Sequence, residues 1–564
     1  MTFREQMKGF PVWQMTVIGL IRFSEPIAFT SMFPYVYFMV RDFGVAKEKA
    51  DIATYSGYLS GSFAFFQFLC SVQWGYASDR YGRKPILLIG LMGTALSMLL
   101  FGFSRSFGEA LFARSLMGIL NGNVAVLRTT VGEVATEKRH QATAFSIIPL
   151  LWNFGSILGP MLGGSKYLTR PKGLEVDFKG PDWYENFITK YPYALSNILV
   201  ASLIMFSWLV AFLFLEETLP KARNRRDIGL EIGNWILAKL GYHASKSKDE
   251  EAETEVLIPD GASTTDQLSF NSEYSLILNP RANYASIVGD DEALIDDDAS
   301  IESMGPFSRR MSEALLRRYS SENLTMSRMT TREGRRTLWH EFKEAFTPAV
   351  SQTLTANFLL SFHTIVFSEF LPVFLAGTAM PEKLKFPWKI VGGFGYDSSS
   401  IGTLLSTTGL IGSLNIMIMF PWLDRKFSTT TNFAAASLVF PIIYVTLPFL
   451  VFTLPGYSTL FPEGFTQVAI YVLCFVNAIA VSLGFPNMLM LVHRSSPPRN
   501  RAFINGLALS FSSLARCVGP LVWGHIMAFS DRIELGGLSW YILAALSIAV
   551  AIQAFCMTDY EDTT

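Results

Sequence analysis

Residues 75–85 read Gly-Tyr-Ala-Ser-Asp-Arg-Tyr-Gly-Arg-Lys-Pro and form a charged stretch between two apolar runs. A glycine is followed four residues later by Asp-Arg, and then by Gly-Arg-Lys-Pro. Glycine permits a tight turn, and charged side chains are costly inside lipid. The stretch therefore predicts a short aqueous loop between two helices that cross a membrane.

The composition of the whole chain favours the same conclusion. Half of the 564 residues are hydrophobic, 14% are aromatic and only 16% are charged, which is too apolar for an ordinary soluble protein. The net charge of −1 argues against a nucleic-acid partner, because such binding needs a concentrated basic surface. Several uncharged runs reach the ~20 residues that cross a hydrocarbon core: 86–103, 198–215, 437–453 and 540–556.

Ending each span at a charged or Pro/Gly-rich turn predicts twelve membrane helices in two groups of six. The segment 11–40 lacks the cleavage site of a removable signal and is predicted to remain as the first helix. The first group is 13–40, 55–77, 86–104, 109–131, 141–164 and 193–215, and the second is 349–375, 399–421, 431–453, 466–490, 502–527 and 536–556.

Between the groups, residues 220–345 are acidic, serine-rich and arginine-rich, a composition that predicts disorder. Residues 228–240 fit either a short amphipathic helix on the membrane surface or a loose loop. We therefore predict a six-helix bundle at 1–218, a cytosolic central loop at 219–345 and a second six-helix bundle at 346–564.

The distribution of basic residues predicts the topology. Short loops at 78–85, 138–139, 425–426 and 494–501 are basic, which favours the cytosolic side of the membrane. The opposite loop at 165–191 also carries several lysines, so the charge bias alone is modest. Both chain termini and the central loop are predicted to be cytosolic.

The two halves repeat one another weakly. Leu158-Gly159-Pro160 with Gly163 recurs as Val518-Gly519-Pro520 with Gly524, and Asp79-Arg80 has a degenerate counterpart in Asp424-Arg425-Lys426. An internal duplication around a central site is one origin of this pattern. A chance pair of Gly-Pro steps is the other.

Together these features resemble the major facilitator superfamily, in which the pattern at 75–85 joins the second and third helices. The resemblance implies that Asp79 faces the positive N-terminal end of the eleventh helix, which begins near Ala502. This contact would latch the cytosolic gate when the transporter opens outward. An ordinary solvated basic loop is the alternative.

The other residues of the turn take related roles in this family. Arg80, Arg83 and Lys84 would exchange charge partners as the two halves rock. Gly75 and Gly82 would permit close packing and a tight turn.

A second motif lies in the fifth predicted helix. Small residues at four-residue spacing allow two helix backbones to approach closely, and a proline bends the helix. The segment resembles the antiporter signature of facilitator proteins that export substrates in exchange for protons, although glycine zippers also occur without that function. The residues are Gly155, Gly159, Pro160 and Gly163.

Candidates for proton coupling are the charged residues inside the predicted helices. Arg114 matches the arginine-then-glycine pattern of the family's fourth helix, and a buried arginine costs a few kcal/mol unless it is paired or hydrated. Glu25 is its candidate partner, but Arg22 lies on nearly the same helix face as Glu25 and is an equal alternative. A carboxylate beside an arginine can exchange a proton for substrate. Glu25 is the first candidate for this role and Glu369 the next.

His363 and Arg516 are further polar residues inside predicted helices. His363 lacks neighbouring ligands at metal-binding spacing and is predicted to be a hydrogen-bonded helix histidine. The sequence names no partner for Arg516. The four cysteines lie in apolar stretches, where a thiol packs as a small hydrophobe, so neither a disulfide nor a thiolate metal site is expected: Cys70, Cys474, Cys517 and Cys556.

Several polar or aromatic residues lie on helices that line the cavity in this fold. Each would contact substrate or, alternatively, hold two helices together. They are Asn121, Asn123, Trp152, Asn153, Asn357, Asn415 and Asn487.

Residues 31–43 resemble the zinc-induced-facilitator-like branch of the drug:proton antiporter group. The Cys-Pro-Gly-Cys segment of its plant members is replaced here by Gly-Phe-Pro-Val at 9–12, which favours organic substrates over metals. We therefore expect a proton-coupled antiporter that exports or sequesters small organic molecules and is not an enzyme. A transporter of metals or metal chelates and a non-transporting nutrient sensor are the alternatives. No phosphate-binding loop for ATP is present in the sequence, and no cofactor is expected.

The central loop carries patterns that suggest regulation. Ser312 and Ser320 each follow a pair of arginines, as basic-directed kinases prefer. The stretches at 253–258 and 274–277 resemble sorting signals for endosomes and vacuoles. Kinases and sorting adaptors are the expected partners of this loop, besides lipid, protons and a small-molecule substrate for the helices. The location is predicted to be a vacuolar, endosomal or plasma membrane.

Overall fold

The computed structural model describes residues 9–121, 123–135, 138–173, 180–219, 221–223, 225–239, 346–497 and 501–557. Side chains at positions 72, 123–125, 138–139, 141–143, 145–149, 421, 424 and 501–503 are outside this description. The predicted central loop beyond residue 239, with Ser312 and Ser320, also lies outside the described residues.

The N-terminal half is helical throughout its long segments. Its helices are α1 (Val12–Thr30), α2 (Val36–Phe43), α3 (Asp51–Tyr81), α4 (Arg83–Phe103), α5 (Phe107–Leu120), α6 (Asn123–Val134), α7 (Lys138–Gly163), α8 (Asp182–Lys190) and α9 (Ala194–Phe214). A further helix, α10 (Ile228–Lys239), follows this half.

The C-terminal half repeats this organisation with longer uninterrupted helices. They are α11 (Pro348–Ala376), α12 (Ser398–Lys426), α13 (Thr429–Phe449), α14 (Phe465–Ser495), α15 (Arg501–Arg532) and α16 (Gly537–Phe555), with short 3-10 helices at Pro381–Lys383 and Leu450–Thr453.

Each of the twelve predicted spans coincides with a helix or a pair of helices, which confirms an all-α membrane protein. The first span is divided by a turn at residues 31–35, which contains Pro34, a residue without a backbone donor. The fourth span is divided at Asn121, which precedes a glycine; both residue types are poor helix formers. The short helix α8 was not predicted.

Eight of the described helices are long and apolar enough to cross a membrane by length and composition alone. Six belong to the C-terminal half, whereas α4 and α9 are the two from the N-terminal half. In α1 the charged residues Arg22 and Glu25 lower the hydropathy, whereas α5 and α6, with 14 and 12 residues, are too short because the fourth span is divided.

Of the two alternatives predicted for residues 228–240, a short helix and a loose loop, the structure has the helix, α10. Two glycines bring it against the end of α9: a Cβ atom on Gly229 or Gly233 would lie 2.1 Å from the carbonyl oxygen of Phe212 or Leu213. The first turns of α10 are therefore fixed to the membrane-spanning bundle by close backbone contact.

The two halves meet mainly through α3 with α15 and α7 with α12. Between α3 and α15, a Cβ atom on Gly57 would lie 2.4 Å from the carbonyl oxygen of Pro520, and the Thr54 hydroxyl donates to the carbonyl of Gly524 at 3.1 Å. Between α7 and α12, a Cβ atom on Gly164 would lie 2.7 Å from the Cα of Gly402. Small residues thus allow both close approaches.

These contacts are at the helix ends that are predicted to face away from the cytosol. At the same end, Arg532 of α15 forms ion pairs with Glu48 and Asp51 of the N-terminal half. Toward the opposite ends of α3 and α15, a Cβ atom on Gly75 or Gly506 would meet nothing within 4 Å. The structure is therefore closed at the end that is predicted to be external.

Candidate functional site

Six charged residues lie more than one turn from the ends of the described membrane-spanning helices and come together in the middle of the bundle. Four are arginines and two are glutamates. The N-terminal half contributes Arg22, Glu25, Arg114 and Arg128, and the C-terminal half contributes Glu369 and Arg516.

Glu25 forms an ion pair with Arg22, three residues earlier on the same face of α1. Both side chains are largely buried, and the guanidinium of Arg22 lies 4.9 Å from the ring centre of Trp152. Of the two pairings left open by the sequence, the structure has the local Arg22–Glu25 pair. Trp152, a substrate-cavity candidate, thus contacts the arginine that is paired with Glu25, the first candidate for proton coupling.

Arg114 is almost completely buried, with 1% of its surface exposed. Its Nε atom donates to the carbonyl of Leu59 at 3.4 Å, and its guanidinium lies 5.1 Å from the ring centre of Phe63 and 5.8 Å from that of Phe101. Its Nη2 atom has no hydrogen-bond partner among the described residues. A buried guanidinium with an unused donor requires negative charge nearby.

Glu369 supplies that charge from the other half of the molecule. It is 5% exposed and interacts electrostatically with Arg114 and Arg516 and with the hydroxyl of Ser60. Its Oε2 atom has no hydrogen-bond partner among the described residues. Because Arg114 and Ser60 belong to the N-terminal half, Glu369 links the two halves electrostatically.

The last two residues of the group, Arg128 and Arg516, belong to the N-terminal and the C-terminal half, respectively. Arg516 of α15 lies within electrostatic range of Glu25, Arg22 and Glu369, but among the described residues it forms an ion pair with neither carboxylate. Arg128 of α6 interacts with Arg22, Arg516 and Glu25. Sequence reasoning missed Arg128, although an arginine within the predicted fourth span was a sufficient signal.

His363 is separate from this group. It is fully buried, and its Nδ1 atom lies 2.8 Å from the hydroxyl of Tyr444, which is the hydrogen-bonded helix histidine that was predicted. Within the part of the chain that the structure describes, no group of three His, Cys, Asp or Glu residues could hold a metal ion.

Asn121 directly follows α5 and lies near the central charges, and Asn153 is on α7. Asn121 is buried, both polar atoms of its side chain lack partners among the described residues, and it lines a small cavity with Arg22 and Glu25. Asn153 is partly buried beside Trp152 in sequence. The side chain of Asn123 lies outside the described residues.

The asparagines of the C-terminal half connect or stabilise helices. Asn357 donates to the carbonyl of Ala508 at 3.0 Å and to the Ser512 hydroxyl at 3.2 Å. Asn415 donates to the Ser482 hydroxyl on α14. Asn487 donates to Leu483 in its own helix at 2.8 Å. For Asn357 and Asn415 the structure shows the interhelical alternative.

The charged turn at 78–85 forms a network at the other end of the bundle. Arg83 contacts Asp79 and also Glu133 at 2.9 Å, and Lys84 contacts Asp227 at 2.7 Å. The carboxylate of Glu217 accepts from the backbone amides of Arg83 and Lys84 at 2.8 and 3.1 Å. The first residues after α9 are thereby attached to the turn.

The remaining residues of the turn face outward or form its bend. Gly82 has φ +120°, a conformation that favours glycine. The guanidinium of Arg80 lies 5.6 Å from the ring centre of Tyr81. Asp79 is 66% exposed and its described ion pair is with Arg83; the predicted latch with the N-terminal end of α15 stays a prediction.

The glycines of the fifth predicted helix pack against α1. An added Cβ atom would lie 2.4 Å from Pro26 at Gly155, 2.0 Å from the Thr30 hydroxyl at Gly159, and 1.7 Å from the Ser31 carbonyl at Gly163. Pro160 is buried in the same helix, α7. The close approach of two helices is therefore observed, and it occurs within the N-terminal half.

The sequence matches known transporters along most of its length. It is 33% identical to the major facilitator superfamily multidrug transporter mfsB of Aspergillus fumigatus over 99% of this chain and 85% of that protein. It is 27% identical to the protein Zinc Induced Facilitator 1 of Arabidopsis thaliana over 94% of this chain and 87% of that one, in agreement with the predicted branch.

The fold is also found in a solved structure. A crystal structure of the nucleoside transporter NupG matches with a TM-score of 0.55 over 97% of this chain and all of that chain, at 11% identity. The model of the Major Facilitator Superfamily matches residues 18–520. The chain belongs to the major facilitator superfamily and is a multi-pass membrane transporter.

Proposed function

We propose that this transporter exports or sequesters small organic molecules in exchange for protons. The observation that carries the proposal is the pair of carboxylates, Glu25 and Glu369, held among four arginines in the middle of the bundle. The printed name of the relative from Aspergillus fumigatus, a multidrug transporter, supports organic substrates.

Glu25 is the proposed proton site. Arg22, Arg128 and Arg516 all face it, so its negative charge moderates the repulsion between three guanidiniums. Arg516 is on the opposite half from the other two. A proton on Glu25 therefore strengthens the repulsion between the halves and favours the arrangement that is open to the cytosol.

Glu369 is the second proposed proton site, with a different mechanical effect. Its attraction to Arg114 joins the halves. Protonation removes this attraction and eases their separation.

The ion pairs around residues 78–85 are proposed to change when the cytosolic gate opens or closes. In the present arrangement the exposed Asp79 contacts Arg83. When the cytosolic side closes, Asp79 would exchange Arg83 for the N-terminal end of α15, while Arg83 keeps Glu133.

The membrane is proposed to be vacuolar, endosomal or plasma, with both termini in the cytosol.

Transport into vesicles tests the proposal. A growth-inhibition screen of organic toxins and metals, in cells lacking or overproducing the protein, first supplies a labelled substrate. Proteoliposomes containing the full chain should then accumulate that substrate under an imposed pH gradient, and an ionophore that collapses the gradient should abolish accumulation. Binding without accumulation would instead identify a sensor, and accumulation without dependence on pH would exclude proton coupling.

A further inference from the structure

The charges in the middle of the bundle do not balance. Four arginines face two glutamates, and the described histidines that lie more than one turn from the ends of these helices are hydrogen-bonded to tyrosines, His363 to Tyr444 and His525 to Tyr58. With both carboxylates ionised, the group still has an excess of two positive charges. Charge inside a membrane is expensive unless it is compensated, so this excess requires an explanation.

The excess is located at Arg128 and Arg516. Glu25 is in direct contact with Arg22, and Glu369 faces Arg114. Neither Arg128 nor Arg516 forms an ion pair with another described residue, and the two repel each other electrostatically. They belong to opposite halves, so the uncompensated charge lies across the interface that must open and close.

We infer that the substrate carries an anionic group, of the carboxylate or phosphate type, which binds between Arg128 and Arg516. A guanidinium presents parallel donors that match a carboxylate or phosphate in a bidentate arrangement. The inference rests on the proposed function and specifies its class of substrate.

Neighbouring groups fit an organic anion. Buried hydrogen-bonding atoms without described partners remain at Arg22 Nε and at both ends of the Asn121 amide, next to Glu25. Trp152 lies over Arg22, and its ring centre is 6.1 Å from that of Phe29. These rings offer an apolar surface for the body of a molecule whose charged end is held by the arginines.

The anion also accounts for exchange with protons. Bound between Arg128 and Arg516, it cancels repulsion between the halves and allows the cytosolic side to close. A proton on Glu25 increases the same repulsion and keeps that side open. The two ligands therefore bias the transporter in opposite directions, as antiport requires.

Charge-matched ligands test the inference without any gradient. The purified full-length protein in detergent is heated with benzoate, benzamide or benzamidinium, and with the corresponding naphthalene compounds, at constant pH and ionic strength. A ligand that binds the folded state raises the unfolding temperature. We expect the anions to bind at least about tenfold more tightly than the neutral amides, since charge-assisted bonds are roughly twice as strong as neutral ones.

Arginine variants locate the binding. Arg128→Gln and Arg516→Gln should reduce the affinity for the anion to about the affinity for the amide. Arg105→Gln, at an arginine outside the bundle interior, should retain the preference for the anion. Three results with the parent protein would overturn the inference: tighter binding of the amidinium ions, equal binding of anion and amide, or no binding of any anion. These results do not depend on whether the variants fold. Because binding in detergent involves no gradient, anion preference and proton coupling can fail separately.

Discussion

At the scale of residues, each buried carboxylate is close to more than one guanidinium. Glu25 contacts Arg22 and faces Arg516, while Glu369 faces Arg114 and Arg516. Arg516, in the C-terminal half, is thus within electrostatic range of one carboxylate from each half. A change of charge on either glutamate changes the force between the halves.

The charged turn yields a prediction at the same scale. Asp79→Asn should reach the membrane in normal amounts, because an exposed ion pair contributes only ~0–1 kcal/mol to stability and Arg83 retains Glu133. Transport should nevertheless fall severalfold, since the latch charge is lost. Transport normalised to protein amount is the measurement, with Asp182→Asn, another exposed carboxylate, as control. Equal transport by Asp79→Asn and the parent would contradict the assigned role.

The sequence predicted the turn but only part of its surroundings. Spacing alone placed Asp79, Gly82 and Arg83, because the motif is local. Glu217 and Asp227 were missed as partners, because they are more than a hundred residues away along the chain. Such pairs become visible only when helices are packed.

At the scale of elements, the glycines of α7 form the interface with α1. Gly159→Leu would place a side chain where even a Cβ atom lies 2.0 Å from the Thr30 hydroxyl. Overpacking of this kind costs typically ~1–3 kcal/mol, so we expect a lower unfolding temperature and loss of transport. Thermal unfolding and vesicle transport are the measurements.

Gly108→Leu provides the matched control for this change. A Cβ atom on Gly108 meets nothing within 4 Å, so the same substitution should leave stability and transport nearly unchanged. Normal transport by Gly159→Leu, or equal destabilisation by both variants, would show that the α1–α7 contact is not critical.

Helix positions were predictable from long apolar runs, whereas interruptions were not. The break at Asn121 and the turn at residues 31–35 depend on how the bundle accommodates freed backbone groups. The antiporter-like glycines were predicted as a packing surface, and the structure identifies α1 as the partner helix. The link from this surface to exchange with protons stays a prediction.

At the scale of the whole molecule, the two halves touch closely at one end. Thr54 and Gly57 meet α15 there, and Arg532 joins the halves through Glu48 and Asp51. Transport in the alternating-access mechanism requires these contacts to break while the charged turns at the other end come together.

The central loop gives a prediction at this scale. We expect deletion of residues 245–330, with Ser312 and Ser320, to move the protein between vacuolar and plasma membranes without abolishing transport in reconstituted vesicles. Phosphates there would add about −1.5 to −2 charge each and weaken binding to anionic lipid. Fluorescence localisation and vesicle transport are the measurements. An unchanged location, or loss of transport in a well-folded deletion, would refute the proposal.

The most direct test of the account is the proton coupling of Glu25→Gln, compared with the parent and with Glu463→Gln, a change at an exposed loop carboxylate. Reconstituted vesicles are assayed for two activities: accumulation of labelled substrate driven by a pH gradient, and exchange of labelled for unlabelled substrate without a gradient. If Glu25 carries the coupling proton, Glu25→Gln retains exchange but loses accumulation, while Glu463→Gln retains both. Accumulation against a gradient by Glu25→Gln would show that Glu25 is not the proton site and leave Glu369 as the next site to test.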